Sequence, residues 1–315
     1  MREAITRAGY LMEQRLVPVV EKLGFKVTPN QRYQDPVGGK LLELDLFAIG
    51  GWQIGKRGTN FIFPVLLIAC KNLRCPLVFF THREPRMHWF LGQVQVSGMP
   101  FEIKQRGETE SIPEFLKVEE FHHYYRTRHV ASQFCAVYET GNKGAPKTGV
   151  PKYEAGHTIG GRIELFKDFE SLVRIIELER RAHATNWKLI LDKEVINLQV
   201  YYPIFVTAGP VFECFVGRGQ PRYRRVHQIG YLHRYGAHSS GRECRIDVVD
   251  DAGLRRLLQV IDAEGEEIKK RVGGRRGLFK ENILRLTEDL MKQKIETQIS
   301  WLSGNGRGGR SEGNE

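Results

Sequence analysis

The sequence predicts an α/β fold: a mixed β-sheet flanked by helices. Three observations predict it. Apolar runs of strand length recur along the chain. One of them, residues 61–70, is apolar at nearly every position, as expected of a strand covered on both faces. Between the runs lie stretches whose apolar residues repeat at helical spacing. The 315 residues suffice for a large core and for one or two domains.

Taken in order, Ile5, Ala8, Met12, Leu16, Val19, Val20 and Leu23 predict a first helix ending at Gly24, a good C-terminal cap. Pro18 opposes it, since an interior proline removes a hydrogen bond. Residues 25–27 begin a strand, and 29–39 are turn-rich, with Asp35-Pro36 and Gly38-Gly39 as punctuation. Residues 41–49 and 61–70 are strands separated by a glycine-rich loop, and 77–80 is a short extra strand. Residues 85–96 read as a helix with proline in its first turn and a stop at Gly98. Residues 134–138 are a buried strand. Residues 165–184 form a charged amphipathic helix. Residues 195–206 and 211–216 are strands joined in hairpin fashion around Ala208-Gly209-Pro210, and 245–249 is a further strand. Residues 254–272 and 278–302 are helices separated by Gly273-Gly274, followed by a low-complexity tail at 303–315. This gives a core at 1–140, a loop or insertion at 141–160, and a segment at 161–250 that either extends the sheet or forms a second small domain. The C-terminal helices occupy 251–302.

Net charge is +11 and the pI about 9.4, an excess that favours a polyanionic partner, most simply nucleic acid. Cys70, Cys75, Cys135, Cys214 and Cys244 form no Cys-x-x-Cys pair, so a reducing compartment is expected in place of a disulfide framework. The first residues lack the apolar core of a signal peptide, and no apolar run approaches the roughly 20 residues that span a bilayer. A cytoplasmic protein with no membrane partner is the expectation.

The chemistry concentrates between Glu43 and Lys71. Side chains alternate along a strand, so Glu43 and Asp45 share one face of the first run, and Ala69 and Lys71 share one face of the second. If the strands pair, two carboxylates and one lysine meet at the end of an apolar sheet, where charge is costly unless it binds something. Glu13 lies at the edge of the first helix's apolar stripe; alone it would read as a solvated glutamate. Asp45 and Lys71 alone would read as an ordinary ion pair of little energetic weight.

The ordered set Glu13 on a helix, Asp45 on a strand, Ala69-Cys70-Lys71 ending a strand and Gln93 beyond it resembles the PD-(D/E)xK nuclease superfamily over about residues 1–100. The resemblance implies a restriction-endonuclease-like core and a Mg²⁺ (or Mn²⁺) site held by Asp45, by Glu13 and by the Cys70 carbonyl. It also implies a Lys71 that orients the attacking water and a Gln93 that positions water or phosphate. Ala69 departs from the pattern, standing where the family has an acid. Three accounts are open: Glu43 supplies the missing carboxylate, the ion is held weakly by the remaining acids, or cleavage is lost and only nucleic-acid binding persists.

Other signals are basic. Arg126 and Arg128 sit in the segment that carries His122, His123 and His129; Arg222, Arg224 and Arg225 surround Tyr223; Arg275 and Arg276 follow Gly273-Gly274. Each reads as a surface that stacks on bases or grips phosphate, or as a solvated loop. Zinc at the histidines would need a fourth ligand that no cysteine spacing supplies. No Walker loop, nucleophile elbow or zinc ribbon occurs, and Gly217-Arg218-Gly219 lacks a dinucleotide-binding context. The expected function is Mg²⁺-dependent binding and cutting of DNA. The rivals are non-catalytic nucleic-acid binding on the same fold, and an interaction subunit that docks its partner through residues 115–121 and the last two helices; a homodimer is also open.

Overall fold

The computed structural model describes residues 10–35, 39–55, 60–83, 93–127, 129–139, 153–156, 158–159, 163–185, 195–217, 219–235 and 242–304. The elements in chain order are α1 (Tyr10–Glu21), β1 (Lys26–Gln34), β2 (Leu41–Ile49), β3 (Trp52–Gln53), β4 (Phe61–Lys71) and β5 (Leu77–Arg83). Next come β6 (Gln95–Met99), β7 (Glu102–Gln105), β8 (Glu108–Ser111), α2 (Ile112–Phe115), α3 (His123–Arg126) and β9 (His129–Glu139). Then follow β10 (Tyr153–Gly156), β11 (Thr158–Ile159), β12 (Ile163–Glu164) and α4 (Leu165–Thr185). The last are β13 (Asn197–Thr207), β14 (Val211–Phe215), β15 (Arg222–Val226), β16 (Gln228–Tyr235), β17 (Arg242–Val249), α5 (Asp251–Gly274) and α6 (Arg276–Gly304).

A mixed sheet of 13 strands organises the chain in the order β1-β2-β4-β13-β17-β16-β9-β5-β14-β15, with β3, β6 and β10 attached to β4, β13 and β9. Strands from 197 to 249 therefore belong to the same sheet as β1–β5. β4 and β13 run parallel in register from Phe61↔Asn197 to Lys71↔Thr207, and β5 and β14 are parallel from Leu77↔Val211 to Thr81↔Phe215.

This order forces the sheet to curl. β13 and β14 are five strand steps apart along it, about 24 Å if the sheet were flat. The chain from Thr207 to Val211 spans at most about 14 Å. The two ends must approach each other, and they do so where the β4–β5 and β13–β14 connections lie side by side. The Ala208 N–H donates to Lys71 O (3.1 Å) and the Leu77 N–H to Pro210 O (3.0 Å). A Cβ on Gly209 would sit 2.5 Å from Cys75 O and 2.7 Å from Leu73 O, so only glycine fits that crossing. The hairpin expected around 208–210 is thus a corner: β13 and β14 do not pair with each other, and each runs parallel to another strand.

Two cores result. On one face, Met12, Leu16 and Val20 of α1 pack with Leu66, Ile68 and Cys70 of β4, with α5, and with Phe279 of α6. On the other, Leu165, Phe169, Leu172 and Ile176 of α4 pack with Val65, Leu67 and Ala69 of β4 and with β5, β9, β13 and β17. That one helix reaches strands far apart in the sheet order follows from the curl.

Other expectations change. The turn-rich stretch 29–34 is the edge strand β1, paired antiparallel with β2. An edge tolerates Pro29, and Asn30 takes the irregularity at φ +53°. The helix expected at 85–96 lies largely outside the described residues; its last two positions, Gln95 and Val96, begin β6, paired with β13. Gly98, expected to stop that helix, sits within β6 at φ +138°, where a Cβ would meet Asn197 O at 2.0 Å. Gly273-Gly274 closes α5 instead of forming a loop. Gly24, at φ +83°, terminates α1 as expected, and Pro18 is accommodated inside it. Among the described residues no helix is long and apolar enough to cross a membrane. All five cysteines are free.

Candidate functional site

The site forms where β2 leaves β4. Their antiparallel register runs from Ile49↔Val65 to Leu46↔Ile68 and stops. One residue further, the Asp45 carboxylate takes the place of the ladder: its Oδ2 accepts the Cys70 backbone N–H at 2.5 Å. In a strand the N–H and C=O of one residue point the same way. The Cys70 carbonyl is thereby directed to the side where β2 has pulled away. Alternation along β4 places Cys70 in the α1 core and turns Ala69 towards α4.

A cavity of about 240 Å³ lies at this point, lined by Glu43, Leu44, Asp45, Ala69, Lys71, Asp168, Ser171, Leu172 and Ile175. It sits beyond the C-terminal end of β4, the usual position for ligands at parallel strands. Lys71 Nζ is 2.9 Å from Asp168 Oδ1. Glu43 is half-exposed and lies 4.0 Å from Arg32, its cross-strand partner on β1.

The charges are unbalanced. Glu13, buried on α1, does not line the cavity but stands within its field. Burial raises its pKa, Asp45 and Glu43 raise it further, and Lys71 opposes them. Burial also raises Asp45, against the Cys70 N–H and Lys71, and Asp168 and Glu43 add to the rise. Burial raises Asp168, against Lys71. Burial works to lower Lys71, but Asp168 and Asp45 outweigh it and leave the ammonium above its ordinary value. Glu13, Asp45 and Asp168 thus share one lysine, and the carboxylates that line the cavity, Glu43, Asp45 and Asp168, are hard oxygen donors that could hold a small divalent cation.

The other expected residues are dispersed. Gln93 is buried just before β6, its Nε2 without a hydrogen-bond partner among the described residues, and it does not line the cavity. Arg222 and Arg225 are exposed on the edge strand β15. Arg224 lies beside them, bound through Nε and Nη2 to Glu213 Oε2. Arg126 is exposed, and Arg128 falls outside the described residues. Arg275 bonds Phe115 O and lies over the Phe115 ring at 4.6 Å, and Arg276 is half-buried, so this pair serves packing before phosphate.

His122 and His123 are buried, not on a basic surface. With Glu264 they offer ligand atoms within 4.8 Å of one another and could hold a metal. Their hydrogen bonds count against it. His123 Nδ1 is 2.8 Å from Glu264 Oε1 and Nε2 is 2.9 Å from Asp247 Oδ2. Burial works to lower its pKa, yet the two carboxylates raise it to about 9, so both ring nitrogens carry protons. His122 Nδ1 accepts the Tyr124 N–H at 3.3 Å, which leaves the proton on Nε2, facing Glu264 Oε2 at 3.7 Å. Burial keeps His122 neutral.

No family model matches the chain, and neither curated proteins nor solved structures yield a match. Asp168 and Ser171 were not legible in the sequence: they lie far downstream on α4, inside an ordinary amphipathic pattern, and join the site only because the sheet curls around that helix.

Proposed function

We propose that the protein binds DNA and hydrolyses its phosphodiester bonds with Mg²⁺ or Mn²⁺ at the cavity beyond β4. The observation that carries this reading is the crowding of carboxylates around Lys71 in an open space at a strand end. The carboxylate oxygens that line it are the hard ligands these ions take, and the Cys70 carbonyl, on the strand edge beside Asp45, would add another. When bound, the ion offsets phosphate charge and activates a water.

The chain's own residues do the rest. The Cys70 N–H fixes one oxygen of Asp45, which lines the cavity. Glu13 adds charge from α1. Lys71, held above its ordinary pKa, stays cationic, orients the attacking water and offsets charge on the phosphoryl oxygens. Arg222, Arg225 and exposed Tyr223 on β15 grip the polyanion outside the site.

Ala69 favours a second reading, non-catalytic nucleic-acid binding on the same fold. Incubating supercoiled and linear DNA with the protein and Mn²⁺ separates the two. Cleavage that Lys71→Ala reduces about a hundredfold or more supports catalysis. Salt-sensitive binding without cleavage supports the second reading.

A further inference from the structure

We propose that Asp168, on the first turn of α4, supplies the carboxylate that position 69 lacks. The inference rests on the nuclease reading above and names the residue that completes its site.

Position 69 points into the space between β4 and α4, because residues 65, 67 and 69 form the α4-facing side of β4. An acid there would reach into the cavity. Alanine leaves that volume open, and Asp168 occupies the facing wall. The same function thus moves across the gap from strand to helix.

Asp168 is held firmly enough to be a ligand. Leu165, Phe169 and Leu172, on either side of it, are essentially fully buried against the sheet and fix the helix. Its carboxylate lies 2.9 Å from Lys71 Nζ and repels Asp45, so it shares the cavity with the two residues a metal-and-water assembly would use. A plain ion pair does not account for the arrangement. Among the described residues Lys71 is the cation that opposes the charge of Glu13, Asp45 and Asp168, and one ammonium cannot neutralise all three. Glu43, the other candidate for the missing acid, is half-exposed and turned to Arg32 at the rim.

The test is calorimetric titration of Mn²⁺ into the full chain, which needs no turnover. Asp168→Asn keeps a hydrogen bond to Lys71 and is expected to weaken Mn²⁺ about tenfold or more. Adding Ala69→Glu to that variant is expected to restore affinity to within about threefold. Should Asp168→Asn not fold, Asp168→Glu keeps the charge and shifts the carboxylate by one methylene; it is expected to weaken Mn²⁺ by at least about threefold. Unchanged affinity in these variants, with binding lost in Asp45→Asn, overturns the role of Asp168 and leaves the nuclease reading standing. No Mn²⁺ binding by any form overturns both.

Discussion

Around Lys71, Asp45 and Asp168 line an open space, Glu13 adds its charge from α1, and Glu43 stands at the rim beside Arg32. Between α5 and β17, protonated His123 lies between Glu264 and Asp247, and Arg245 is close by, bonded to Tyr124 O and Thr127 Oγ1. Both regions hold buried ionisable groups. In the first, burial raises the carboxylate pKa values, and neighbouring carboxylates add to the rise at Glu13 and Asp45. In the second, opposite charges interleave and a histidine is held cationic. Clustering of ionisable groups therefore does not mark a site by itself; charge left uncompensated next to a cavity does. The histidine network fastens α3 and α5 to the sheet, whereas the carboxylates at the β4 cavity outnumber the lysine that opposes them.

Breaking each region should give opposite results. Glu264→Gln removes a buried partner of His123 and should lower stability by about 3 kcal/mol or more in urea unfolding, while cleavage per folded molecule persists. Asp45→Asn should reduce cleavage about a hundredfold or more. Its stability should stay within about 1 kcal/mol, since it also removes a carboxylate that burial disfavours.

The pH dependence sharpens the contrast. The folded-state pKa of His123 is raised to about 9 from 6.5, so its contribution is fully present below pH about 6.5 and fades as pH rises through about 9. Unfolding measured across that window should show a loss of at most about 3 kcal/mol, absent in His123→Gln. The cavity behaves in reverse. Its carboxylates are raised, so Mn²⁺ affinity should fall on acidification at a pH above the ordinary carboxylate range of about 4. A titration series at several pH values checks this.

The smallest expected effect lies outside both regions. Replacing Arg222 or Arg225 by alanine should weaken DNA binding across all sequences and lower the slope of log affinity against log salt by about one each, read by fluorescence anisotropy.

What the sequence made legible was what its local pattern could encode. The apolar runs of β2 and β4 announced buried strands, and two charged residues, Asp45 in the middle of β2 and Lys71 at the end of β4, marked where the two strands part. β15 escaped because Arg222, Tyr223, Arg224 and Arg225 are exposed on an edge strand and carry no buried alternation. The start of β1 was legible at residues 25–27, but its continuation through 29–34 escaped because these turn-like residues pair only on one side. Asp168 escaped for a tertiary reason: its approach to Lys71 depends on the curl imposed by the short 208–210 corner, which no local window contains. The histidines were visible as residues, but their burial was not, since Glu264 and Asp247 come from distant elements.

The most direct test of the central claim is the shift of melting temperature with Mn²⁺ in the unaltered chain, Asp45→Asn and His122→Phe. An ion that binds the folded state raises its stability by mass action. The account predicts that Mn²⁺ raises the melting temperature of the unaltered chain and of His122→Phe, and not that of Asp45→Asn. A shift that survives Asp45→Asn and disappears in His122→Phe would contradict it, and would place the metal among the histidines.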